Sequence, residues 1–104
     1  MWVISRRALR EFWEIHPQAE EPLLAWVRLL ERTEFADLNA LKNTFGTADY
    51  VSPYTIFNIG GNKFRVITAI HYNRKRVYIR HIFTHPEYDQ WSEQMRKQRK
   101  KRRK

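Results

Sequence analysis

The sequence predicts an α+β domain. In its first half apolar residues recur at helical spacing, while its second half holds runs of β-branched and aromatic residues separated by turn signals. The length of 104 residues fits a single domain with one modest core. Four Trp, five Tyr and six Phe make that core or its rim aromatic.

The elements follow in order. Trp2-Val3-Ile4 reads as a short first strand, and Ser5 as the N-cap of a helix. Ala8, Leu9, Phe12, Trp13 and His16 form that helix's apolar stripe, and Pro17 ends it. A second helix is expected from about Gln18 to Arg32, with Leu23, Trp26, Val27 and Leu30 inward. Its regular part begins near Glu21, because Pro22 suits a first turn and Glu20 and Glu21 suit the positive end. The two helices predict an antiparallel hairpin. Asp37 caps a third, short helix, DLNALKNTF, that ends at Gly46.

Strands are expected at Tyr54 to Ile59, Lys63 to Tyr72 and Val77 to Thr84, with a short one at Asp49-Tyr50-Val51 before them. Gly60-Gly61-Asn62 and Asn73-Arg74-Lys75-Arg76 supply the turns of an antiparallel meander. Strict alternation places Val77, Ile79, His81 and Phe83 on one face of the last strand and Tyr78, Arg80, Ile82 and Thr84 on the other. Lys63, Arg65, Tyr78 and Arg80 then share the face that the helices leave open. Pro86, with Glu87 and Asp89, opens a short C-terminal helix. Residues 1–95 are expected to form the domain, and residues 96–104, RKQRKKRRK, a basic tail that is disordered when free.

The formal charge of +9 is unevenly distributed. The last nine residues hold eight of the 20 basic side chains, so the body stands near +1, with −2 over residues 1–55 and +3 over residues 56–95. This polarity points to a polyanionic partner. The chain has no cysteine, which excludes disulfide scaffolds, thiolate metal sites and cysteine nucleophiles. There is no apolar run of the roughly 18 residues that span a bilayer, and MWVISRRALREF, without an apolar core, is not expected to act as a secretory signal.

The stretch FNIGGNKFR, Phe57 to Arg65, invites a phosphate-loop reading. It lacks the Walker pattern and lies between two strands, where a hairpin turn uses Gly and Asn for positive φ. Lys63 and Arg65 need another explanation. Arg65 and Arg80 fall in mid-strand, and residues 50–86 contain no Asp or Glu to pair with them, so an anionic ligand is favoured. His85, at the end of the last strand, is a candidate general acid or base. His16, His71 and His81 show no metal-ligand spacing with it.

The segments VISRRALREFWEIHP, FNIGGNKFRVITAIHY and VYIRHIFTHPEYD, in this order, resemble the HigB family of bacterial toxins, a branch of the RelE/ParE superfamily. The resemblance extends from about Met1 to Asp89. It implies a RelE-like fold, with an N-terminal helical hairpin on an antiparallel sheet. It also implies a cytoplasmic mRNA endonuclease that needs no metal or other cofactor, acts on messages in the ribosome and is held by a HigA-type antitoxin. In such chemistry the message's 2′-hydroxyl attacks the adjacent phosphorus, leaving a 2′,3′-cyclic phosphate and a 5′-hydroxyl. Mapped onto this chain, Arg65, Arg80 and His85 become the catalytic candidates. Lys63, Asn62, Tyr78, Tyr88, Arg74, Lys75 and Arg76 become the RNA contacts, with Tyr78 available to stack on a base. Two other functions fit the composition: a non-catalytic RNA- or DNA-binding module, and a ParE-like gyrase inhibitor on the same fold.

Overall fold

A computed structural model describes residues 1–61 and 63–102, with side chains as far as Gln98; Asn62 is outside the described residues. The elements are β1 (Trp2–Ile4), α1 (Arg6–Ile15), α2 (Glu20–Arg32), α3 (Leu38–Thr44), β2 (Asp49–Val51), β3 (Tyr54–Ile59), β4 (Phe64–His71), β5 (Arg76–Thr84) and α4 (His85–Arg102). They build a five-stranded sheet in the order β1-β5-β4-β3-β2. The expected meander β2 to β5 is antiparallel throughout, but β1 pairs parallel with β5, so the sheet is mixed.

α1 and α2 form where the apolar spacing places them. A single 3₁₀ turn at Pro17–Ala19 joins them, which is all the room Pro17 needs to break the ladder. Asp37 caps α3 as expected, its Oδ1 accepting from the Ala40 N–H at 2.9 Å. Ser5 stands at the N-cap of α1 but lies in the left-handed region at φ 76°, and its side chain makes no cap bond. Its carbonyl instead accepts from the Ala8 N–H at 3.0 Å.

Leu9 of α1, Leu23, Trp26 and Leu30 of α2 and Leu41 of α3 pack on one face of the sheet against Phe57, Phe64, Val66 and Val77. Edge-on ring pairs fix the layer: Phe12 on Phe64 at 5.5 Å and Trp26 on Phe57 at 5.2 Å between centroids.

The alternation expected in β5 fails halfway along. Ile67 of β4 pairs with His81, yet Thr68 pairs with Ile79, so Arg80 is an extra residue on β5. Such a bulge reverses the facing of everything beyond it. Ile82 therefore packs on the helix-side core, while His81 and Phe83 turn to the second face.

That second face is not open. α4 crosses it and seats Trp91 among Tyr54 (5.8 Å), Phe83 (6.1 Å) and His81 (6.2 Å). The helix has 18 residues, more than the short one expected, and its backbone takes in the basic residues 96–102. No helix among the described residues is long and apolar enough to cross a membrane.

The β3–β4 connection is the turn that the two glycines predict. Gly60 and Gly61 both have positive φ, 64° and 60°. A Cβ on Gly60 would meet the Phe64 ring at 3.4 Å and Pro22 at 3.7 Å. Gly60→Ala is therefore expected to lower stability by about 1–2 kcal/mol, read as a reduced urea midpoint at unchanged slope.

Candidate active site

Arg65 is the centre of the site. In register it stands between Asn58 of β3 and Phe83 of β5, on the face that α4 covers. Only 7% of it is exposed, where an open-face position was expected. Two contacts help hold a guanidinium there. It lies 5.3 Å from the centroid of the Tyr88 ring, and Nη1 donates to the Phe64 carbonyl at 3.3 Å.

Arg65 opens into a cleft of about 370 Å³ lined also by Thr47, Ala48, Asp49, Ile56, Asn58 and Tyr88. Asn58 donates from Nδ2 to the Thr47 carbonyl at 3.2 Å, which ties the loop before β2 to the cleft wall. Burial pushes the Tyr88 phenol above its ordinary range; the Asp49 carboxylate pushes the same way and Arg65 opposes it. Tyr88 therefore remains a proton donor at neutral pH. Asp49 was not anticipated. It stands one residue outside the carboxylate-free interval that made Arg65 look unmatched, and antiparallel pairing of β2 with β3 returns it to the same face.

His85 is the first residue of α4, and its N–H donates to the Lys63 carbonyl at 3.1 Å. Its Nδ1 lies 3.2 Å from the Asp89 carboxylate, and 47% of the side chain is exposed. Three residues apart on one helix, His85 and Tyr88 share a face of α4. Thr84 and Glu87 fix where that helix starts. Glu87 Oε1 accepts from the Thr84 N–H at 2.8 Å and from its Oγ1 at 3.0 Å. This is the carboxylate-to-N-cap contact of a capping box, and Thr-x-x-Glu is a spacing that the sequence displays openly. Lys63, Arg65, His85 and Tyr88 are thus gathered at one end of the sheet.

The other candidates lie elsewhere. Arg80, at the bulge, precedes Phe83 by three residues, so about 10 Å of strand separates its level from that of Arg65. It covers the Tyr78 ring at 5.6 Å and lines a separate groove with Glu11, Phe12 and Ile15 of α1. Tyr78 also meets His71 edge-on at 5.2 Å. Arg74 and Lys75 occupy the β4–β5 turn and Arg76 begins β5, all at the far end of the sheet, about 26 Å along the eight residues of β4. Lys75 pairs there with Glu34 at 3.0 Å. The described residues contain no cluster of three or more His, Cys, Asp or Glu able to hold a metal ion.

Comparison with known proteins agrees with this architecture. The HigB toxin family, described as the RelE-like toxic component of a toxin-antitoxin system, matches residues 19–91. The protein named mRNA interferase toxin HigB in Escherichia coli strain K12 is 33% identical over 92 residues, spanning 86% of this chain and 88% of the relative. The mRNA interferase HigB of Shigella flexneri matches equally well, and that of Escherichia coli O6:H1 is 29% identical over 92 residues.

The Tyr88 shift has a consequence for alkaline stability. A phenol that folding holds protonated contributes stability that is complete below its unfolded pKa of about 10 and is lost as pH rises through the higher folded value. Tyr72 is raised in the same direction, also chiefly by burial. Melting temperature should therefore fall above pH ~10, and fall less steeply in Tyr88→Phe than in the parent chain.

Proposed function

The chain belongs to the HigB toxin family of RelE-like toxic components of toxin-antitoxin systems, and from that premise we propose that it is an mRNA interferase. Its substrate is messenger RNA, cut in the bacterial cytoplasm on the translating ribosome, and its restraining partner is a HigA-type antitoxin. The observation that carries this reading is the mostly buried Arg65 guanidinium, set in a cleft beside a phenol that stays protonated.

The chemistry follows from what these groups can do. When the 2′-oxygen attacks the neighbouring phosphorus, negative charge builds on the phosphoryl oxygens. A preoriented cation away from bulk water stabilises that charge more strongly than one in solution. Arg65 fills this role, and the Tyr88 O–H donates to the same oxygens. The leaving 5′-oxygen needs a proton. His85, its Nδ1 turned to Asp89, presents Nε2 to deliver it. Lys63, on the lip beside His85, takes the adjacent phosphate. No metal-activated water is required, because the nucleophile is the message's own hydroxyl. The products are a 2′,3′-cyclic phosphate and a 5′-hydroxyl.

Arg80, Tyr78 and the Arg74-Lys75-Arg76 turn lie too far from Arg65 to share its phosphorus, and we assign them to flanking nucleotides. The basic residues 96–104 add affinity for any polyanion through counterion release.

Purified protein added to translating ribosomes in chelator should cut a message, leaving 5′-hydroxyl ends. A single 2′-deoxy substitution at the cut should abolish cleavage there. Arg65→Ala should slow cleavage by about 10²- to 10³-fold and His85→Ala by about 10²-fold or more. Arg80→Ala should act mainly on KM. Undiminished cleavage in both Arg65→Ala and His85→Ala, with the variants folded, rules the site out.

A further inference from the structure

The reaction above leaves the 2′-hydroxyl proton without an acceptor, and the cleft offers one. We propose that Asp49 is the general base of the cleavage, taking that proton from the nucleophilic ribose; this role rests on the interferase reading.

Placement comes first. β2 is three residues long, and its pairing sets Asp49 opposite Ile56, two positions before Asn58, which in turn pairs with Arg65. Asp49 therefore projects from the same face as Arg65, two strands across and two residues along, a backbone separation of about 12 Å. A phosphodiester and the long Arg65 side chain fill such a gap. β5 flanks β4 on its other side, and His85 follows directly from it. Proton acceptor and proton donor thus stand on opposite sides of the guanidinium, as in-line displacement requires of the groups serving the attacking and leaving oxygens.

Chemistry narrows the choice. Of the groups lining the cleft, Thr47 and Asn58 are not bases, Arg65 is always protonated, and Tyr88 holds its proton. Asp49 supplies the carboxylate. Its Oδ1 accepts from the Tyr50 N–H at 2.9 Å, which fixes the group.

Electrostatics gives the reason to keep an acid there. A carboxylate beside a phosphate-binding arginine repels the substrate, so a cleft built only to hold RNA has no use for it. If the carboxylate accepts a proton as the phosphoryl group gains charge, the repulsion disappears when it would be largest. The step balances. The 2′-O–H bond breaks and its proton passes to Asp49. The 2′-O–P bond forms, and the P–O5′ bond breaks with its electron pair on the 5′-oxygen, which takes a proton from the His85 imidazolium. Water then returns the proton from Asp49 to His85.

The test compares Asp49→Asn with His85→Ala on ribosome-bound messages carrying either a normal 5′-oxygen or a bridging 5′-sulfur at the cut. Asn retains the Oδ1 acceptor for Tyr50 and removes only the base. Asp49→Asn should cleave about 10²- to 10⁴-fold more slowly and bind the programmed ribosome as tightly as wild type or more so. The sulfur leaving group, which needs no proton, should rescue His85→Ala and leave Asp49→Asn slow. Asp49→Gly with added formate is a second route, and a formate-dependent recovery supports the role. Cleavage by Asp49→Asn within threefold of wild type overturns it, as do rescue by sulfur and a loss confined to KM. Wild-type protein that leaves every message intact overturns the interferase reading itself, and this role with it.

Discussion

The single extra residue in β5 is the constraint on which the second half of the molecule depends. Without the bulge at Arg80, period-two alternation would send His81 and Phe83 into the helix-side core and Ile82 to the opposite face. With it, Ile82 packs on the core and two aromatic rings line the other side, where Trp91 of α4 finds them. α4 then has an apolar seat, and its first turn is delivered over Arg65. The arginine's burial and the cleft's second wall are thus downstream of one register shift.

Arg65 and its neighbours balance opposing costs. Removing a guanidinium from water is expensive unless its surroundings replace the lost hydration. The Tyr88 ring, a backbone carbonyl and the cleft's polar wall replace part of it. The Tyr88 ring has the Arg65 guanidinium at 5.3 Å and the Trp91 ring at 6.0 Å, so it packs between the arginine and the aromatic seat of α4.

Much of this was legible in the sequence. Helical spacing in Ala8–His16 and Leu23–Leu30 located α1 and α2, the glycine pair located its turn, and β-branched runs located the strands. These signals are local, and local chemistry decides them. What depended on pairing between distant segments was not legible. Nothing near Arg80 announces a bulge, because a bulge is a relation between two strands. Nothing in Trp2–Ile4 says that it will lie parallel to β5. The long strands hold no carboxylate, and Asp49, on a strand of three residues, comes to the cleft beside Arg65 only through the pairing of β2 with β3. The Arg65–Arg80 pairing of the sequence reading, drawn from alternation, came apart for the same reason. The capping box at Thr84–Glu87 is a local signal too, because its Thr-x-x-Glu spacing stands open in the sequence.

The junction between β5 and α4 has a mechanical side. Thr84 ends the strand and His85 begins the helix, with no residue between them to absorb a rotation, and the Glu87 clasp stiffens the corner. An 18-residue helix is a rod of about 27 Å. His85 and Tyr88 ride on its first turn, so the pivot of the rod carries two of the candidate site residues. A force applied to the distal basic end is therefore geared directly to the distance between Tyr88 and Arg65, without any need to reach into the cleft.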